Sequence, residues 1–128
     1  MSLHNGDSMT KRILIVDDSS MMRKLLSRVL KTPGHTIVGE AKNGAEALEL
    51  YKSLKPDLVT MDITMGGMDG LSAAREILRY DSSAQILFLS NMDEDKYRGD
   101  VVRLGAIGFV NKHKSDEILS LVENLKDP

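Results

Sequence analysis

The feature that most constrains this chain is its alternation between two periodicities. Five short runs rich in aliphatic and β-branched residues, RILIVD (12–17), TIVGE (36–40), DLVTMD (57–62), QILFLS (85–90) and AIGFV (106–110), alternate with five stretches of helical spacing. Three of these runs are almost continuously apolar, as parallel strands covered on both faces must be. The first helical stretch carries Met21, Met22, Leu25, Leu26, Val29 and Leu30 as one stripe, opposite Arg23, Lys24, Ser27 and Arg28. The second lies near 45–54, with Ala47, Leu48, Tyr51 and Leu54, and the third near 71–79, with Leu71, Ala74, Ile77 and Leu78. Tyr97, Val101 and Leu104 mark a fourth; Ile118, Val122 and Leu125 mark a fifth, with Ser115 as its expected capping side chain ahead of Asp116 and Glu117. Five strand–helix units in succession predict an α/β fold, an open five-stranded parallel sheet with helices on both faces. Periodicity leaves the strand order open.

At 128 residues the chain is most simply one domain. A net charge of −2 gives no electrostatic footprint for nucleic acid or an anionic membrane. No run approaches the roughly 20 apolar residues of a membrane-spanning helix. The opening MSLHNGDSMTKR lacks the apolar core of a signal peptide, so a disordered leader is expected over 1–10 and a folded domain over 11–126, with Met9 an equally good start. The absence of cysteine excludes disulfides, thiolate catalysis and cysteine-based zinc sites. His4, His35 and His113 are scattered, with no helical pair to suggest a metal. Any chemistry must come from carboxylates, hydroxyls and lysines.

In open α/β sheets ligands sit beyond the carboxyl ends of the strands. Those ends carry Asp17-Asp18, Asp62, Ser90-Asn91 and Asn111-Lys112. If the strands concerned are neighbours, three carboxylates, a hydroxyl and an ammonium share one edge. Crowded carboxylates repel, and need either a cation or protons taken up through raised pKa values. A hard, all-oxygen site suits Mg²⁺, which keeps several waters and accepts a further oxygen from phosphate. Lys112 adds a point positive charge and Ser90 a neutral donor beside a carboxylate. Carboxylates act as nucleophiles in phosphoryl transfer, and the protein's task there is positioning and charge neutralisation. Each residue alone has a plainer reading. Asp17 and Asp18 could cap the first helix, Asp62 could be satisfied by loop amides, and Lys112, near Lys114, could be solvated. The methionines are mostly core or loop filler.

Together, VDDS, DLVTMDITMGGMDG, LFLSN and GFVNK, in this order at these strand ends, resemble the receiver domain of two-component response regulators, particularly the single-domain CheY type. The resemblance implies a flavodoxin-like (βα)5 fold with strand order 2-1-3-4-5. It implies Asp62 as phosphoacceptor, with Mg²⁺ held by the side chains of Asp18 and Asp62, the backbone carbonyl of Thr64 and, through water or hydrogen bonding, Asp17. Ser90 and Lys112 would contact the phosphoryl oxygens, assisted by the Asn91 amide. Phe109 falls where the family places an aromatic that turns inward on activation. The implied phosphodonor is a histidine kinase. The implied output is a protein partner on the face of the fourth helix, fifth strand and fifth helix, which would also serve any dimer of an otherwise monomeric cytoplasmic domain, and the single-domain resemblance points to motility control. No nucleic-acid contact and no turnover enzyme activity are implied.

Three residues depart from the family pattern. Gly66, followed by Gly67, replaces a proline four residues after Asp62, which predicts a looser loop. His113 replaces a proline after Lys112, which predicts a trans or strained cis bond and a less firmly aimed lysine. Asn91 stands where a small residue is usual, which predicts slower reaction with bulky phosphodonors. Rival functions fit less well. A Mg²⁺-dependent phosphohydrolase needs a second acid two residues past the nucleophile, where Thr64 stands. A flavin carrier needs a phosphate loop where Asp17 and Asp18 would repel it. A pseudo-receiver that binds partners without phosphorylation remains open.

Overall fold

The structure, a computed structural model, describes residues 10–65, 69–91 and 97–125. Strands β1 (Arg12–Val16), β2 (Thr36–Ala41), β3 (Leu58–Asp62), β4 (Ile86–Ser90) and β5 (Gly108–Asn111) alternate with helices α1 (Ser20–Lys31), α2 (Gly44–Leu54), α3 (Gly70–Tyr80), α4 (Arg98–Leu104) and α5 (Ser115–Glu123). The sheet is wholly parallel, in the order β2-β1-β3-β4-β5. Winding reverses between β1 and β3, so their carboxyl ends face an open crevice.

Strand alternation sends side chains to two separate cores. Leu14, Val16, Val59, Met61, Ile86 and Phe88 pack with residues of α2, α3 and α4. Ile13, Ile15, Leu58, Leu87, Leu89 and Val110 pack with α1 and α5. Central β3 and β4 are buried at every residue, whereas the edge strands β2 and β5 are mostly half-buried. This explains why the central runs read as continuously apolar and the edge runs do not.

Two expectations need correction. The stripe on α1 is narrower than its sequence suggests: Met22, Leu26 and Leu30 are buried, but Met21 is 78% exposed and Leu25 37%. Apolar residues at adjacent positions point about 100° apart around a helix, so one core-facing row cannot absorb both members of each pair. Ser115 does not cap α5; it is the first helical residue, and Lys114 at the N-cap makes no side-chain bond. Three other helices do have side-chain caps: Ser19 accepts from the Met22 amide, Asn43 from Glu46 and Asp69 from Ser72.

Candidate functional site

The register places the acids side by side. Val16 pairs with Met61, which sets Asp17 at the end of β1 beside Asp62 at the end of β3. Asp62 in turn pairs with Leu89 on β4, and Ser90 with Asn111 on β5. One carboxylate oxygen from each of Asp17, Asp18 and Asp62 lies within 4.8 Å of the others. Asp17 and Asp62 are buried and Asp18 is exposed, so the cluster opens to solvent on one side.

Asp17 is held on every side. Its Oδ1 accepts from the Ser19 amide at 2.9 Å, and its Oδ2 from Lys112 Nζ at 3.0 Å. The capping reading of Asp17 is therefore partly right, since its bond to Ser19 shapes the entry to α1, but Ser19 itself is the cap. Asp62 Oδ1 accepts from the Thr64 amide at 3.2 Å, and Lys112 Nζ stands 3.4 Å from its Oδ2. The Asp62 pKa is pushed up from 3.8 to about 6. Burial is the main cause, followed by the Asp17 charge; Lys112 and the Thr64 N–H pull it down, and Asp18 adds to the rise. Both remedies for crowded acids are thus present: a resident cation, Lys112, and a raised carboxyl pKa. The donors left for a ligand are carboxylate oxygens, a set that fits a hard divalent cation and no soft one.

Lys112 is 4% exposed and paired to both buried acids, which corrects the expectation of a loosely aimed lysine. No cis peptide occurs among the described residues, so the Lys112–His113 bond is trans. The turn is organised by Asn111 instead of proline. Its Oδ1 accepts from the His113 amide at 2.8 Å, its carbonyl accepts from Lys114 at 3.0 Å, and its Nδ2 donates to the Asn91 carbonyl at 3.2 Å. Lys112 N–H donates to the Ser90 carbonyl at 2.8 Å, which locks the two strand ends together. Ser90 is buried, and Asn91 and Thr64 are exposed at the rim. Phe109 is half-buried against the α2–α4 core, with the Arg98 guanidinium 5.7 Å from its ring centroid. Gly66, Gly67 and Met92 lie outside the described residues.

Gly70 has a role that its place in a flexible-looking Asp-Gly pair conceals. A Cβ there would lie 2.2 Å from the Asp62 carbonyl oxygen and 2.8 Å from Ile63 Cα. Its amide donates to the Ile63 carbonyl at 3.1 Å. The start of α3 presses directly on the backbone that carries Asp62.

Residues 13–123 match the family model described as the response regulator receiver domain. The chain belongs to that family. It is 45% identical over 104 residues to the chemotaxis protein CheY of Thermotoga maritima, covering 81% of this chain and 87% of that protein. It is 44% identical over 115 residues to CheY of Bacillus subtilis, covering 89% and 96%. Among solved structures it is similar to a CheX-CheY-BeF3-Mg complex from Borrelia burgdorferi, with a TM-score of 0.82 and 32% identity over 87% of this chain and 85% of that one. The chain is a receiver domain of the CheY type, a module of two-component signalling, with an acidic pocket at Asp17, Asp18 and Asp62 consistent with a phosphoacceptor site.

Sequence reasoning missed the part that Asn111 plays in building the turn after Lys112. Asn111 was legible in principle, because an Asn two residues before a turn amide is a recognised turn former.

Proposed function

We propose that Asp62 is the phosphoacceptor of a Mg²⁺-dependent receiver, phosphorylated by a histidine kinase. The observation that carries this reading is the meeting of Asp17, Asp18 and Asp62 within 4.8 Å, with Lys112 bridging the two buried members. Asp62 Oδ2 attacks phosphorus; the leaving group departs with the bonding electron pair and phosphorus acquires the Asp62 oxygen. Lys112 neutralises charge on the acceptor and then on the phosphoryl oxygens. Ser90 and the Asn91 amide stand at the adjoining strand end to donate to those oxygens. Asp18 and Asp62 side chains, the Thr64 carbonyl and, through water, Asp17 would hold Mg²⁺; when bound, it offsets the repulsion among acids and phosphoryl oxygens.

The same charge change supplies the signal. Lys112 and Ser90, once engaged by the phosphoryl group, reweight the conformations of the adjoining β4 and β5 ends and of Phe109 on the α4–β5–α5 face. That face is the docking surface for a protein partner, or for a second copy where the domain pairs. We take the receiver as residues 11–126, after a leader over 1–10, working in the cytoplasm; among the described residues no helix is long and apolar enough to cross a membrane. Resemblance to proteins named for chemotaxis favours a role in motility control.

Incubation with acetyl phosphate, followed by intact-mass measurement, tests the reading. One added phosphoryl group is expected with Mg²⁺ and none in its absence. Addition without Mg²⁺ at the same rate would refute the metal-dependent site.

A further inference from the structure

Asp18 differs from its two partners in the acid cluster. Asp17 and Asp62 carboxylates are pinned by Ser19, Thr64 and Lys112, whereas Asp18 is exposed and makes no side-chain hydrogen bond among the described residues. Its carboxylate is placed only by its backbone, and so by the orientation of the Asp17–Asp18 peptide. The Asp17 amide donates to the Ala41 carbonyl on β2 at 3.0 Å, but its carbonyl projects past the last residue of β1. Arg23 on α1 supplies what the sheet no longer does. Its Nη1 donates to the Asp17 carbonyl at 2.7 Å, and its Nε donates to Glu40 Oε1 on β2 at 3.2 Å. Arg23 is 18% exposed and Glu40 41%, so the contact with the backbone is the more sheltered of the two.

We propose that Arg23, anchored by Glu40, is a positioning residue for the metal site: it fixes the Asp17–Asp18 peptide plane and thereby aims the Asp18 carboxylate. This rests on the Mg²⁺ reading of the cluster given above. The planar guanidinium is suited to the task because it serves two acceptors in a fixed fork, which a lysine ammonium cannot reproduce. The sign of the effect separates positioning from charge. Arg23 is itself positive, so if only its field mattered, removing that charge would tighten the binding of a cation. Loss of aim predicts the reverse.

The test compares Mg²⁺ dissociation constants, by isothermal titration calorimetry, for the native protein, Arg23→Lys and Arg23→Met, with urea midpoints as the control for folding. Both variants are expected to bind Mg²⁺ more weakly, by roughly tenfold, the lower end of what losing an outer-shell support of a metal ligand costs. Phosphorylation from acetyl phosphate at saturating Mg²⁺ is expected to stay within about twofold of native, because the reacting groups are intact. Should Arg23→Met fail to fold, Arg23→Lys carries the comparison. Unchanged affinity in Arg23→Lys, or tighter binding in Arg23→Met, would overturn the positioning role while leaving the site reading intact. Failure of the native protein to bind Mg²⁺ would remove the site reading and the positioning role together.

Discussion

The raised pKa of Asp62 makes a stability prediction that can be worked through. An ionised carboxylate at 2% exposure beside a second buried acid is a cost to the metal-free fold. With an ordinary value of 3.8 in the unfolded chain and about 6 in the folded one, the difference of about 2 on the pH scale corresponds to roughly 3 kcal/mol at most. The sign follows from the direction. Below pH 3.8 the group is protonated in both states and costs nothing. As pH rises from there to about 6 the unfolded chain releases its proton first, so the fold loses stability, and above about 6 the full penalty stands. Asp62→Asn keeps the shape and removes the charge, while Lys112 retains Asp17 at 3.0 Å as its partner. In EDTA at pH 8 the variant should be more stable than native by about 1–3 kcal/mol, and the advantage should vanish by about pH 4. Added Mg²⁺ should raise the stability of the native protein, by about 2.7 kcal/mol at a hundredfold excess over its dissociation constant, and that of the variant by much less. Urea unfolding followed by circular dichroism measures all of these. Equal stabilities at pH 8, or a gain that persists unchanged at pH 4, would refute the electrostatic account.

Two further variants probe the frame around that acid. Gly70→Ala would drive a methyl group against the Asp62 carbonyl and Ile63 Cα, which are backbone and cannot swing aside, so a loss of about 2–3 kcal/mol in urea unfolding is expected. An unperturbed midpoint would mean that α3 does not press on β3 as closely as described. Lys112→Met leaves Asp17 and Asp62 buried without a counter-charge and should cost about 3–5 kcal/mol at pH 8. The loss should shrink toward pH 5 as Asp62 takes up its proton, and an identical loss at both pH values would contradict the ion-pair reading.

The sheet was legible in the sequence because its elements announce themselves locally. A run such as QILFLS can be buried on both faces only as an interior strand, and the acids at strand ends follow from parity: Ile13, Ile15 and Asp17 share one side of β1, as Leu58, Thr60 and Asp62 share one side of β3. What local pattern could not convey was long-range geometry. Arg23 reads as a solvent-facing helix residue, and only the parallel pairing of β1 with β2 brings Glu40 to it. Gly70 reads as a pliable turn residue, and only the docking of α3 shows that it is glycine for lack of space. Lys112 seemed poorly aimed without a following proline, yet the Asn111 side chain builds the turn that proline would have fixed. The exposed Met21 and Leu25 show the converse limit, since apolar character in a helical stretch does not guarantee burial.

The most direct test of the central claim locates the phosphoryl group. After reaction with acetyl phosphate and Mg²⁺, borohydride reduction converts an aspartyl phosphate to homoserine, which peptide mass spectrometry can place. The account predicts conversion at Asp62 alone, abolished by EDTA. Conversion at Asp17 or Asp18, or none anywhere under conditions in which the protein binds Mg²⁺, would contradict it.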